Sequence, residues 1–339
     1  MDHIVDQLLA SEDPSIRLKT RLRVLEALPA SPEVRTLEEE VRTSERVRRL
    51  LSIADAEGRI PGGAYAKFNG AHWVLPVLAD IGYPQGDASL IPLRDQVYET
   101  WLDPAHTRER VVVKEAASHK RLAGVPIIEG RARRCASQEG NALWSTLALG
   151  IADARADELA GNLRRWQWPD GGWNCDRSAG AVNSSFMETL IPMRGLALHG
   201  RLTGDTASTE AALRASEVFL KRRLFRRQSD GSVIREDFVK LHYPCYWHYD
   251  ILFGLKVLGE MGLLGDSRCT DALDLLESKR LPDGGFPAER RHYKVVASPQ
   301  PGGSLVDWGG VSVRRMNPWV TIDALYVLRE AGRMSAMNT

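Results

Sequence analysis

Cysteine is scarce in this chain. Cys135, Cys175, Cys245 and Cys269 are scattered over 339 positions without a CxxC pair. That spacing fits a reducing compartment better than a disulfide framework, so the expected location is the cytoplasm. Neither sign of charge dominates, with 45 Lys and Arg against 44 Asp and Glu. No basic face with interleaved aromatics occurs, so nucleic acid is not an expected partner. No apolar run is long enough to span a bilayer, and the opening Met1-Asp2-His3 leads into no signal-type apolar core. Alternating polar and apolar positions are nearly absent, which leaves little for a sheet.

What is present is a repeat. Gln167-Trp168-Pro169-Asp170-Gly171-Gly172-Trp173 returns in looser form as Gln228-Ser229-Asp230-Gly231-Ser232-Val233 and as Leu281-Pro282-Asp283-Gly284-Gly285-Phe286. A turn at roughly 50–60 residue spacing marks one helical hairpin used several times. The helix patterns alternate in kind. Segments 87–102, 154–166, 206–224 and 267–280 are amphipathic; segments 71–82, 140–151, 184–199, 246–261 and 318–331 are apolar nearly all round. An all-round apolar helix must be buried, and an amphipathic one covers it. Gly82, Gly150, Gly200, Gly262 and Gly332 stand where helix C-caps are expected. The reading is an all-α protein, an α/α toroid of inner and outer helices spanning residues 51–333. Residues 1–50 form a helical extension packed on the ring, and 334–339 a tail.

The Gln-x-x-Asp-Gly-x-Trp phrase at 167–173 resembles the repeat signature of squalene and hopene cyclases, in the α/α-toroid superfamily that also holds the protein prenyltransferases. There the acidic side chain and the glutamine tie the turn to neighbouring helix ends. A nearer resemblance is to bacterial single-toroid, squalene-cyclase-like (prenyltransferase-like) proteins without an assigned reaction. It rests on Glu12-Asp13-Pro14-Ser15-Ile16-Arg17, on Asp170-Gly171-Gly172-Trp173-Asn174-Cys175, on Arg222-Arg223-Leu224-Phe225-Arg226-Arg227 and on the run from His242 to Asp250. The resemblance implies a terpene-cyclase-like or prenyltransferase-like enzyme. Its catalytic motifs are missing: neither Asp-x-Asp-Asp nor Asp-Asp-x-x-Asp occurs. Cys245 stands where the prenyltransferase zinc cysteine would, but Tyr243 replaces the aspartate two positions earlier, and Val320 and Thr321 stand where its histidine would.

In such a ring the inner-helix N-termini gather at one mouth, where free N–H groups and partial positive charge collect. Trp73, Trp144, Phe186, Trp247 and Trp319 lie near those starts and could wall a cavity for an apolar, isoprenoid-type substrate or simply fill the core. The run from His242 to Asp250 is the densest polar cluster. Tyr246 and Asp250 are spaced to share a helix face. His248 suits acid–base work, and Asp250 on an apolar helix needs a partner. The candidate catalytic set is His248, Asp250, Asp176, His242, Glu188 and His72. Tyr246, Asp323 and Glu139 join the aromatics as substrate-binding candidates. No cofactor is expected, although the sequence leaves zinc and magnesium open; Cys175, Cys245 and His242 are the zinc alternative. The bases His119, Lys120, Arg121, Arg131, Arg133 and Arg134, in the long loop 104–139, are candidates for anion binding or for a solvated surface. The partner class is a small molecule, with apolar character leading. The alternatives are a hydrolase or lyase of a carbohydrate-like substrate, and a non-catalytic scaffold.

Overall fold

The computed structural model describes residues 2–112 and 124–334. His119, Lys120 and Arg121 lie outside the described residues. The helices are α1 (Asp2–Leu9), α2 (Pro14–Lys19), α3 (Pro32–Arg42), α4 (Glu45–Leu51), α5 (Ala71–Asp80), α6 (Ile91–Trp101), α7 (Pro104–Thr107), α8 (Ser137–Ala148), α9 (Arg155–Arg165), α10 (Phe186–Thr203), α11 (Thr206–Leu220), α12 (Ile251–Glu260), α13 (Thr270–Glu277) and α14 (Pro318–Glu330). Two minor sheets lie among the loops. β1 (Glu109–Val111) pairs parallel to β2 (Val125–Ile128), which pairs antiparallel to β3 (Arg131–Ala132). β4 (Lys294–Val295) pairs parallel to β5 (Gly303–Ser304). No helix among the described residues is long and apolar enough to cross a membrane.

The fold is an α/α toroid. Helix α5 packs on α8, α8 on α10, α10 on α12, and α12 on α14. Each of these inner helices is buried on nearly every side. The outer helices α6, α9, α11 and α13 carry the charged faces. The ring closes through the N-terminal segment: α14 packs on α2 and on the π-helical turn Thr20–Val24 that continues it. On the other side Lys19 reaches Asp80 of α5 at 3.1 Å. Thus residues 14–24 supply a sixth inner element, from the stretch whose sequence reads as an extension.

The repeated turn is a corner. Asp170 accepts hydrogen bonds from the N–H and hydroxyl of Ser184, at 2.8 and 2.6 Å. Gln167 Nε2 donates to the Gly171 carbonyl and to the Ala211 carbonyl of α11. Trp173 N–H meets the Thr189 hydroxyl of the next inner helix at 3.2 Å, and Phe286 N–H meets Thr321 of α14 in the same way at 2.9 Å. These two corners share a hydrogen bond to a threonine of the following inner helix, whereas in the third copy Asp230 accepts from Ser232 within its own turn. Gly171 has φ +101°, and a Cβ there would sit 2.2 Å from the Arg214 carbonyl oxygen. Gly62 has φ +90° with nothing within 4 Å. Backbone strain alone costs about 1–3 kcal/mol and overpacking about as much again. Gly171→Ala should therefore destabilise by about 3 kcal/mol or more in urea unfolding, and Gly62→Ala by only about 1–2 kcal/mol. Equal losses would mean that the corner's contact with α11 is not what holds it.

Two boundaries differ from the sequence reading. Gly200 does not end its helix: α10 runs on to Thr203 and Gly204, at φ +76°, is the left-handed cap. Gly200 is a close-approach position, since a Cβ there would meet Thr209 Oγ1 at 2.3 Å. The segment 246–249 is not helical. Tyr246 has φ +48° and Asp250 is the extended N-cap of α12, so Tyr246 and Asp250 do not share a helix face.

Candidate functional site

The floor of the ring is ionic. Lys256, alone in the apolar run of α12, bonds Asp80 at 2.6 Å and Asp323 at 2.8 Å. Lys19 reaches the same two carboxylates at 3.1 and 3.3 Å. Arg194 of α10 pairs with Glu260 at 2.7 Å and lies 3.6 Å from the Trp144 ring centre. Burial opposes ionisation of Asp80, but Lys19, Lys256 and Arg194 outweigh it and hold the carboxyl well below its usual range. Glu260 is drawn down to about 2 against its own burial, mainly by Arg194. Neither carboxyl can donate a proton near neutrality. Paired-carboxylate glycoside hydrolysis, which needs one acid of raised pKa, does not fit the Asp80 floor.

Above this floor lies a cavity of about 50 Å³, bordered by Trp73, Trp144, Tyr246 and Asp323. That is room for a few waters, whereas small-molecule sites enclose roughly 300–1,000 Å³. The other aromatic candidates serve elsewhere. Phe186 packs with Phe219, Phe238 and Tyr249. Trp319 stacks on Tyr243 at 5.0 Å. His72 is sealed beneath Tyr65, Trp73 and Trp101, with its Nδ1 accepting from Trp101 Nε1 at 3.1 Å. Burial drives it down to about 3.

The reactive groups gather at the mouth, where α12 begins. Asp250 is fully buried and caps that helix, with Oδ1 accepting from Phe253 N–H at 2.7 Å. Its Oδ2 accepts from His242 N–H at 2.9 Å and lies 2.9 Å from His242 Nδ1. The carboxylate thus meets the need for a partner that its burial creates, and it fixes Nδ1 as the protonated nitrogen. His242 Nε2 is buried with no hydrogen-bond partner among the described residues. Burial pushes His242 down, but Asp250 makes the net shift upward. Two further histidines stand over it. His292 lies edge-on to His242 at 4.7 Å, and His248 stacks flat on His292 at 3.6 Å. Burial, then its histidine neighbours, hold His248 at about 3; burial, then His242, hold His292 at about 4. Both are neutral bases at neutral pH. His292 was not a candidate from sequence, because it sits in a loop and reaches the cluster only through the pairing of His242 with Arg290.

The stack continues outward. Trp247 lies on His248 at 4.2 Å, and Lys67 lies over Trp247 at 4.8 Å and over Tyr65 at 5.8 Å. No described carboxylate pairs with Lys67. Lys67 also borders an outer groove of about 520 Å³ between Ile53, Ile60, Pro61, Pro299 and Pro301.

The remaining candidates fall into a second group. Glu188, on the first turn of α10, is buried and accepts from Ser137 N–H at 3.1 Å. Cys175 donates to it at 3.5 Å and lies beside Cys135. Glu139 is bound by Arg134 at 2.6 Å. Asp176 is exposed and caps a local turn through Ser178 N–H. The zinc alternative is therefore divided: Cys175 stands with Cys135 and Glu188, while Cys245 and His242 stand with Asp250.

No family model and no curated protein matches the chain. Among solved structures it is similar to the unsaturated glucuronyl hydrolase of Bacillus sp. GL1, at 16% identity and TM-score 0.44 over 93% of this chain and 84% of that one. A family 76 glycoside hydrolase from a bovine Bacteroides thetaiotaomicron strain gives 12% and 0.44 over 95% and 68%. The type II terpene cyclase MstE from Scytonema, in complex with geranylgeranyl dihydroxybenzoate, gives 14% and 0.27 over 85% and 96%. Likeness at this level names no reaction for the chain.

Proposed function

We propose that this toroid is an acid–base enzyme acting at its mouth on a small, polar, anionic substrate, in the manner of a hydrolase or lyase. The observation that carries this reading is the buried Asp250–His242 pair, with its Nε2 unpartnered, behind two neutral histidines. In this reading His292 and His248 meet the substrate and take a proton from it or from an attacking water. His242 receives that proton, and Asp250 stabilises the imidazolium. Lys67 supplies the charge that holds a carboxylate. The closed ionic floor speaks against an isoprenoid threaded through the ring. The apolar outer groove beside Lys67 favours a second reading, an anionic amphiphile such as a prenyl diphosphate lying against the mouth.

The test is to incubate the full chain with uronate-containing oligosaccharides in one arm and prenyl diphosphates in the other, following products by mass spectrometry. Turnover in the first arm is expected. His292→Gln and His242→Gln should each lower it by about 10²–10⁴, the usual share of acid–base catalysis. His242→Gln should also remove one limb of the pH–rate profile. Turnover only in the second arm would favour the amphiphile reading, and turnover unaffected by both substitutions would sink the mouth as the site.

A further inference from the structure

We propose that Cys135, Cys175 and Glu188 form a zinc-binding site, separate from the histidine cluster and independent of the reaction proposed above. The three ligand atoms come from the starts of two adjacent inner helices. Cys135 lies just before α8, Glu188 is in the first turn of α10, and Cys175 follows the Asp-Gly-Gly-Trp corner. A β-bridge between Arg133 and Asn174 draws the two cysteine segments together. The Sγ atoms and a Glu188 carboxylate oxygen lie within 4.8 Å of one another, and Cys175 Sγ stands 3.5 Å from Oε1. With zinc–sulfur bonds of about 2.3 Å and zinc–oxygen bonds of about 2.0–2.2 Å, the edges of a tetrahedron are about 3.5–3.8 Å. Only small movements are needed to close the site.

The charge balance points the same way. Glu188 is buried, yet no Lys, Arg or His among the described residues pairs with it. Buried carboxylates are ordinarily paired or bound to metal. The Cys175 thiol donates to Glu188 at 3.5 Å but brings no positive charge. A divalent cation binds all three groups at once: it replaces the two thiol protons, which leave to solvent, and gives the carboxylate a cation to coordinate, with the net charge of the site staying at one negative. Thiolates select zinc over magnesium or calcium. The other carboxylate oxygen is already oriented by Ser137 N–H, the kind of outer contact that fixes a metal ligand. Both cysteines are half-buried and reachable. Three protein ligands leave a fourth position for water.

The test uses the full chain, reduced and stripped with chelator, titrated with Zn²⁺ alone against a chromogenic competitor. One equivalent should bind. Co²⁺ should give a thiolate charge-transfer band. Cys135→Ser and Cys175→Ser should each weaken zinc by at least about 100-fold, with the far-UV circular dichroism of the metal-free protein unchanged. Should either variant fail to fold, Glu188→Gln gives the same reading through an altered Co²⁺ spectrum. Cys245→Ser should leave zinc binding as it is. The proposal is overturned by a stoichiometry of zero, by loss of zinc in Cys245→Ser with none in Cys135→Ser, or by a protein isolated with a Cys135–Cys175 disulfide that takes up no metal once that bond is reduced.

Discussion

Lys256→Met is expected to destabilise the protein by about 3–5 kcal/mol, the usual consequence of removing one partner from a buried ion network. Lys256 lies on α12, Asp80 on α5 and Asp323 on α14, so one ammonium ties three inner helices. Its removal leaves two buried carboxylates with Lys19 as their remaining ammonium and Arg194 at 3.9 Å from Asp80. A loss of that size is a large share of the roughly 5–15 kcal/mol that holds a domain folded. Desolvation makes the network a weak net contributor, so removing matched charges should do less harm than removing one. Lys256→Met combined with Asp323→Leu leaves Lys19 against Asp80 and should recover most of the loss. Urea unfolding of the single and double variants at neutral pH measures this. A single variant within about 1 kcal/mol of the parent would show that the floor does not hold the ring.

The second large effect is acid lability. His72, His248 and His292 are all held neutral in the folded chain, at about 3, 3 and 4, largely by burial. The unfolded chain takes up their protons near the ordinary value of 6.5. Between that value and the depressed ones the unfolded state binds more protons, so stability falls as pH falls. His242 has the opposite sign: its raised value favours the folded state at low pH, and that contribution is lost as pH rises through it. His72 gives the clearest test because it is fully enclosed and far from exchangeable partners. Each such histidine adds up to about 1.4 kcal/mol per pH unit to the slope. His72→Gln should reduce the slope of unfolding free energy between pH 6 and 4 by about that much, measured on the full chain at several pH values. An unchanged slope would mean that His72 does not titrate with unfolding.

Much of the ring could be read from the residues. The Asp-Gly-Gly-Trp corner and the alternation of apolar and amphipathic helices are local patterns, and local patterns survive into the fold. The need of Asp250 for a partner was legible too, since a lone carboxylate beside an apolar helix is costly. The same rule applied to Lys256, Arg194 and Asp80 would have exposed the ionic floor, because each is a charge set in a largely apolar stretch of an inner helix. Residues 14–24 escaped notice as an inner element because their pattern is amphipathic and their π turn shifts its phase. The helical reading of 246–250 failed because an aromatic run fits a buried helix as well as a turn, and only the cap at Asp250 separates them. His292 carries no periodic signal. Its place depends on a loop returning from the far side of α13, which spacing along the chain does not encode.

The most direct test of the mouth as an acid–base site is nitrogen NMR of the histidine imidazoles across pH in the full chain. The account predicts His242 protonated at Nδ1 with its free lone pair on Nε2, titrating above the ordinary histidine value, while His248 and His292 stay neutral down to about pH 4. Protonation of neutral His242 at Nε2, or three histidines titrating together near 6.5, would contradict it.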